Sequence, residues 1–316
     1  MDLRQIEYII AINEHQSITR AAEKLHVTQS ALNQQLLRLE DELGVKLFER
    51  GKRVMIPTYA GKVYIEAARK ITEIRRETYR IIQDIKSEEV GEILMAVTPE
   101  QGAIMITDLY PGFHEAWPKV RLEIQEARNK EMDRKLSRGE VDLIHASFTP
   151  ESKNPEFEYR IVAREHIVLA LPSTHRLAHL AGQQSHKLLP RIDLNLLVDE
   201  EFIMPPDKML MREMIDRAFA ASGFSPKILF ETDSSQTKFQ MAAKQIAPSF
   251  FPESYVTSNA PLVYFTFEPN PEWFLSIAYR KGAYLTKPEK SLIEMITQYY
   301  ASKGVCAGGD VKLLAR

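Results

Sequence analysis

The sequence predicts an α/β protein in three parts: a small helical head ending in a hairpin, one long helix, and a larger body in which strands alternate with helices. Three observations lead there. Residues 17–61 carry two short helical patterns, a tight turn and a basic hairpin. From Thr58 to about Ser87 there is no proline, and Gly61 near the start is the one glycine, so a single helix should run through. After the polar break Ser87-Glu88-Glu89-Val90-Gly91-Glu92, short apolar runs alternate with helical ones, the pattern of a parallel sheet with crossover helices.

In the head, Met1 to Ile6 passes directly into a helical pattern with Ile9, Ile10 and Ile12. Ser17 and Thr19 can cap a second helix, whose Ala21, Ala22 and Leu25 make a small apolar face suited to close crossing. His26 and Val27 form the turn. Thr28 caps a third helix in which Leu32, Leu36, Leu39 and Leu43 build a buried stripe, and Gly44 ends it. Turning each residue by about 100° sets Ser30, Gln34 and Arg38 opposite that stripe, with Gln29 and Asn33 on its flanks. A hydrogen-bonding face is thus offered outward from the helix N-terminus, where a helix-turn-helix meets base edges. The basic run Arg50-Gly51-Lys52-Arg53 lies between Leu47-Phe48 and Val54 to Ile56, as the tip of a wing that can reach phosphates or a minor groove. Its bland reading is a solvated turn.

The long helix carries Ala60, Tyr64, Ala67, Ile71, Ile74, Thr78, Ile81 and Ile85 at alternating steps of four and three, a heptad seam. Its other faces hold Arg69, Lys70, Glu73, Arg75, Arg76, Glu77, Arg80 and Asp84. A helix of this length spans on the order of 40 Å. Pairing two would hold two heads apart at a fixed distance, which implies a dimer and an interrupted palindromic site. The competing reading is a helix packed on its own domain.

In the body, Ile93 to Val97, Val120 to Gln125 and Val141 to Ala146 read as strands, with Ile104 to Ala116 and Lys130 to Arg138 as helices between them. Ile167 to Leu171, Glu201 to Ile203 and Leu275 to Tyr279 read as further strands, and Ser291 to Tyr300 as the last helix.

In the head, the chain resembles the LysR-type transcriptional regulators at Ala21-Ala22-Glu23, Leu25, Val27-Thr28-Gln29, Ala31-Leu32, Leu39-Glu40, Leu43-Gly44, Leu47-Phe48, Arg50, Arg53, Thr58 and Ala60-Gly61, all in one register. The resemblance extends over nearly the whole chain. Tyr110-Pro111, Trp117-Pro118-Lys119-Val120, Leu136 with Gly139, and Val141-Asp142-Leu143-Ile144 are similar to the first half of the family's effector domain. Ile167 to Pro172, His175 and Leu177-Ala178 are similar to the start of its second half. The resemblance implies a winged helix-turn-helix over 1–58, a dimerisation helix over 59–88 and an effector domain over 89–302. That domain would be two-lobed and periplasmic-binding-protein-like, with lobe I at about 91–161 and 268–302, lobe II at about 162–267, and a mobile tail at 303–316.

The DNA-contacting residues so implied are Thr28, Gln29, Ser30, Asn33, Gln34, Arg38, Arg50, Lys52 and Arg53. In such a domain a small molecule lies outside the carboxyl ends of the strands. The loops there supply Thr98, Glu100, Gln101, Arg128, Asn129, Ser147, Phe148, Met204 and Pro205 as effector contacts, Thr98 with nearby helix-terminal N–H groups suiting a carboxylate. Glu100 beside an anion site implies an effector carrying an amine as well as an acid, or neutralisation by Arg128. Implied partners are double-stranded DNA, a second copy or a homotetramer, a small-molecule effector of unidentified structure and RNA polymerase.

Several positions depart from the family. Gln34 and Leu37 stand where basic residues are common, which shifts phosphate binding toward Lys24, Arg38, Lys52 and Arg53 and frees Gln34 to read adenine. Pro57 replaces a leucine. Gln245 and Ala247 replace the glycines of a Gly-x-Gly-Ile run, which puts a left-handed backbone there in doubt and leaves open a constitutive DNA binder with a ligand-free cleft.

Composition fits this reading. With 44% apolar residues in 316, the chain can build real cores, and a net charge of -2 means that any DNA affinity must come from local clustering. No signal peptide and no run of about 18 apolar residues is present, so a cytoplasmic protein without a membrane span is expected. Cys306 is the single cysteine. Some family members sense oxidants through a cysteine pair, and this chain cannot do so within itself. No cofactor is expected, and the scattered histidines show no metal-ligand spacing. No nucleophile elbow, phosphate loop or dinucleotide fingerprint marks an enzyme, and an extracellular solute receptor is disfavoured by the DNA-reading head.

Overall fold

The computed structural model describes residues 2–51, 54–86, 90–99, 101–182 and 189–303. Asp2 and Gln5 form a capping box that starts α1 (Leu3–His15). Ile6, Ile9 and Ile12 of α1 pack with Ala21 and Ala22 of α2 (Ile18–Lys24) and with Leu32, Leu36 and Leu39 of α3 (Gln29–Leu43). Ser17 caps α2 and Thr28 caps α3, as the residue types require. β1 (Phe48–Arg50) and β2 (Met55–Pro57) make an antiparallel hairpin with Glu49 opposite Ile56.

The stripe on α3 stops one turn earlier than its spacing predicts. Leu43 is 43% exposed, whereas Glu40 is 5% exposed. Gly44 (φ 68°) turns the chain back, so Leu47 and Phe48 cover Leu39 and Glu40 and leave Leu43 exposed.

Thr58 caps α4 (Tyr59–Ile85), the expected single long helix. Its base lies hard against the wing: a Cβ on Gly61 would sit 2.0 Å from the Leu47 carbonyl oxygen. The predicted seam divides. Tyr64 is buried in the head with Ile65 and Ala68, and Ala60 packs against the same cluster, while Ile71, Ile74, Thr78 and Ile85 are exposed; Ile81 is half-buried, and Ile82, outside the predicted seam, is exposed beside it. On the opposite face Arg69, Glu73, Arg76, Arg80 and Asp84 all pair with the body, so the helix is also packed on its own chain, as the competing reading had it.

The body has two sheets that share one strand. In lobe I, β3 (Gly91–Val97) lies between β4 (Val120–Glu126) and β5 (Leu143–Phe148), all parallel, and α5 (Gln101–Ala116) and α6 (Asn129–Ser137) make the crossovers. β6 (Phe157–Pro172) then runs through both lobes. In lobe II, α7 (Leu210–Ala221) connects β7 (Glu201–Met204) to the parallel β8 (Lys227–Glu231), and α8 (Ser235–Ala243) leads to β9 (Ser249–Pro252). β10 (Leu262–Phe265) pairs with the end of β6. β11 (Glu272–Arg280) returns to lobe I, and α9 (Lys287–Ser302) covers its core. β6 pairs with β11 up to His166 and with β9 from Ile167, so the chain changes lobes there, a few residues beyond the expected boundary.

The expected parallel sheet with crossover helices is present in β3, β4 and β5, and the long strands differ from it. β6 leaves lobe I and β11 comes back, so the two run antiparallel to each other. The Ile167 to Leu171 run is buried on both faces, which explains why it reads as continuous rather than alternating.

The doubt over the altered glycine run is also corrected. Gln245 does adopt a left-handed backbone, φ 63°. Its side chain holds the turn: Oε1 accepts from Thr174 N–H (3.0 Å) and Oγ1–H (2.7 Å), and Nε2 donates to the carbonyls of Ala243 (3.1 Å) and Pro261 (2.9 Å). His175 is structural, its Nδ1 accepting from Leu177 N–H and its Nε2 lying 3.2 Å from Glu200.

Candidate functional site

The reading face grows from the start of α3. His26 takes a positive φ of 55°, and the N–H of Val27 returns to the Ala22 carbonyl at 3.0 Å, which closes the turn between α2 and α3. Thr28 Oγ1 accepts from Ala31 N–H at 3.2 Å and lies 3.2 Å from Ser30 Oγ. Gln29, Ser30, Gln34 and Arg38 are exposed, and Asn33 is half-buried. Gln29, Ser30 and Asn33 line an open groove of about 540 Å³ with Gln16 to Thr19 at the start of α2 and Gly51, Val54 and Met55 of the wing. The expected face is therefore continuous from recognition helix to hairpin. Lys52 and Arg53 lie outside the described residues, as does the side chain of Arg50.

One residue that positions this face was missed. Glu40 Oε1 accepts from the N–H groups of Leu47 (2.7 Å) and Phe48 (3.2 Å), and Oε2 pairs with Lys46 Nζ at 3.0 Å. A carboxylate one turn beyond Leu36, on the buried side of a leucine stripe, was the available signal. Its two buried bonds hang the wing from the back of the recognition helix. Thr58 Oγ1 adds a donor to the Lys46 carbonyl at 2.7 Å, so the same cap also fixes α4 to the wing.

At the cleft, Thr98, Asn129 and Ser147 come together at the carboxyl ends of β3, β4 and β5. Asn129 Nδ2 donates to the Ser147 carbonyl at 2.8 Å. Thr98 Oγ1 and Asn129 Oδ1 are buried without a hydrogen-bond partner among the described residues. Arg128 is not held ready for an anion: its guanidinium pairs with Asp233 of lobe II. Lys130 Nζ lies 3.7 Å from Glu213, also of lobe II. Asp233 and Glu213 had no sequence signal as cleft residues, because their partners are about a hundred positions away.

Phe148 is buried with its ring against Tyr159 and Phe274, and Met204 belongs to the lobe II core. Pro205 is buried, and its carbonyl accepts from Arg212 at 2.9 Å. All three are held by packing contacts in this structure. Glu100, the side chain of Gln101 and the tail from 304 with Cys306 lie outside the described residues. No helix among the described residues is long and apolar enough to cross a membrane.

Comparison with known proteins decides the family. A pattern described as "Bacterial regulatory helix-turn-helix protein, lysR family" matches residues 3–62, and "LysR substrate binding domain" matches residues 86–301. The chain belongs to the LysR family of transcriptional regulators. This LysR-family chain is 26% identical over 308 residues to the dual regulator OxyR of Escherichia coli K12, covering 94% of this chain and 95% of that one. It is also 26% identical over 306 residues to YcgK, an uncharacterised HTH-type regulator of Bacillus subtilis 168, covering 93% and 94%. Full-length OxyR C199D from Pseudomonas aeruginosa superposes with a TM-score of 0.70 at 24% identity, over 97% of this chain and 96% of that one. Full-length CbnR complexed with its target DNA gives 0.61 at 22% identity, over 95% and 100%. These structures share the architecture of head, long helix and two-lobed body. This LysR-type protein is thus a DNA-binding transcriptional regulator, and its relatives are regulators rather than enzymes.

Proposed function

We propose that this regulator binds an interrupted palindrome as a dimer or a tetramer, and that a small molecule in the cleft between the lobes alters its DNA binding or bending. The observation that carries this reading is the cleft itself. Two lobes are joined by strands that cross from one to the other, and three strand ends of lobe I converge on it with two buried polar atoms, Thr98 Oγ1 and Asn129 Oδ1, unpaired. Such atoms favour a ligand that hydrogen-bonds to them. A ligand that binds one lobe arrangement better than the other shifts their populations, and the oligomer turns that shift into altered half-site geometry.

Gln29, Ser30, Asn33, Gln34 and Arg38 read bases or phosphates in the major groove, and the wing with Arg50, Lys52 and Arg53 contacts the backbone. The parts are a head to residue 58, a dimerising helix to 88 and the effector domain to 302. The exposed Ile71, Ile74, Ile82 and Ile85 support pairing of two α4 helices. We place the protein in the cytoplasm, with RNA polymerase as a further partner.

Relatives from several bacteria bear the description hydrogen peroxide-inducible genes activator. Sensing by an intrachain disulfide needs two thiols and this chain has only Cys306, so a bound ligand is the better reading of its signal. The argument for a constitutive, ligand-free regulator rested on the altered glycine run. Gln245 keeps the left-handed turn without glycine, so that argument loses its ground.

The test is selection of bound sites from fragmented genomic DNA by the purified protein at a defined salt concentration, with and without a metabolite pool. Interrupted palindromes whose recovery or spacing changes with the pool are expected. Palindromes indifferent to every pool fraction would remove the effector reading and leave the constitutive one.

A further inference from the structure

The second half of α4 docks on lobe I through a buried ion cluster that neither DNA reading nor the cleft uses. Arg76 forks onto Asp142, with Nη2 2.6 Å from Oδ1 and Nη1 3.2 Å from Oδ2. One turn on, Arg80 reaches both Asp142 and Glu289. Glu73 pairs with Arg76 and with Arg280 of β11. Each acid is also tied into the lobe. Asp142 Oδ2 accepts from Leu94 N–H at 2.9 Å, and Glu289 Oε2 accepts from Thr286 N–H (2.8 Å) and Oγ1–H (2.7 Å), which caps α9.

Asp142 and Glu289 are 4% and 1% exposed. With α4 docked, both carboxylates are shielded from water and neutralised by its arginines, and lifting the helix would break these charge-assisted bonds together. Burial works against the charge on Arg76, yet Asp142 and Glu73 hold its pKa above the ordinary guanidinium value. Shape adds a register. Gly139 has φ +68°, and a Cβ there would fall 2.5 Å from Glu73 Cδ, so the α6–β5 turn fits against one position along the helix. All these partners lie in lobe I.

We propose that α4 and lobe I move as one body, that Asp142 is the positioning residue that sets the register of the helix on the lobe, and that lobe II is the arm that moves against this body. The consequence for half-site spacing rests on the dimeric reading above. The docking does not.

The experiment uses the full-length chain with Cys306→Ser, so that spin labels can be placed by Lys70→Cys on α4 and Lys119→Cys on lobe I, diluted with unlabelled chain. Pulsed EPR should give one narrow distance distribution in the parent and a broadened or shifted one in Asp142→Asn and in Arg76→Gln. A second pair, Lys119→Cys with Lys244→Cys of lobe II, should be unmoved by either variant. Arg76→Gln alters only the linker side and leaves Asp142 with Arg80, so it decides the matter if Asp142→Asn does not fold. In parallel, palindromes with spacers varied by single base pairs are tested. Both variants should lose the parent's preference for one spacer while keeping its affinity for a single half-site. An unchanged α4 to lobe I distribution in both variants overturns the docking. A loosened helix with an unchanged spacer preference overturns the positioning role. A parent that selects no palindrome at all would sink the dimeric reading, and the EPR result would still stand or fall alone.

Discussion

Replacing Glu40 by alanine asks whether the wing really hangs from the recognition helix. The substitution strips two buried N–H groups of their acceptor, Leu47 at 2.7 Å and Phe48 at 3.2 Å. An unsatisfied buried donor costs roughly 1–3 kcal/mol. The shorter, charge-assisted bond belongs near the top of that range and the longer one near the bottom, so about 3–4 kcal/mol is expected in all. The Lys46 pair adds little, because Nζ lies at the solvent-exposed end, where ion pairs are weak. Glu40→Gln keeps one neutral acceptor and should cost about half as much. The assay is hydrogen exchange at the Leu47 and Phe48 amides in the full-length protein. At about 1.4 kcal/mol per tenfold, Glu40→Ala should speed exchange there by two to three decades. The amides of α1 should move far less, and half-site affinity should fall because the wing is no longer held. Exchange at 47 and 48 unchanged by Glu40→Ala would refute the reasoning.

Other perturbations test other parts. His145 lies in the lobe I core with Tyr300 O–H on its Nε2, and burial pushes its pKa from 6.5 down to about 4. The unfolded chain therefore binds a proton that the folded one refuses: stability from this site is intact above pH 6.5, is lost as pH falls toward 4, and amounts to about 3 kcal/mol. His145→Gln should flatten that stretch of the pH–stability curve in urea melts, and an identical slope would count against the assignment. Ile74, 64% exposed on the open seam, should be intolerant of charge in a paired helix. Ile74→Glu should sediment as a monomer with its melting curve little changed, and a persistent dimer would show that the seam is not the contact. At Gln245, alanine keeps the strained backbone and loses four hydrogen bonds, whereas glycine loses the bonds but relieves the strain. Both should melt below the parent, which checks the bonds, and Gln245→Ala should melt below Gln245→Gly; the reverse order would mean that the left-handed backbone carries no strain there.

The head was legible because its signals are local: caps at Ser17 and Thr28, a stop at Gly44, and a stripe at helical spacing. What periodicity could not say was which stripe positions the rest of the chain would cover, and so Leu43 and Glu40 exchanged roles. In the body, the apolar half of β6 was visible as a run, but Phe157 to His166 carries Glu158, Arg160 and Arg164 among its apolar residues and did not read as a strand. The convergence of Thr98, Asn129 and Ser147 followed from topology, since parallel strands end on one side. Partners across the cleft did not follow, because Arg128 and Asp233 are joined only by the fold. The partners of the α4 arginines were not legible for the same reason: nothing near them in sequence announces Asp142 or Glu289.

The two edges of α4 bear on how a signal could travel. At 3.6 residues per turn, Ile71, Ile74, Thr78, Ile82 and Ile85 fall within an arc of roughly 80°, and Glu73, Arg76 and Arg80 within roughly 60° on the opposite side. The helix therefore offers its apolar edge to a second copy and its charged edge to its own lobe I, while Gly61, Tyr64, Ile65 and Ala68 lock its base into the head. A helix exposed to solvent on its charged side could roll on its partner without the body noticing. This one cannot turn without pulling Arg76 and Arg80 off two buried carboxylates, nor slide without driving Glu73 into Gly139. With a second α4 seated on the seam, as proposed, a rotation of lobe I has nowhere to dissipate along the helix and arrives at the recognition helices as a change in their separation or tilt.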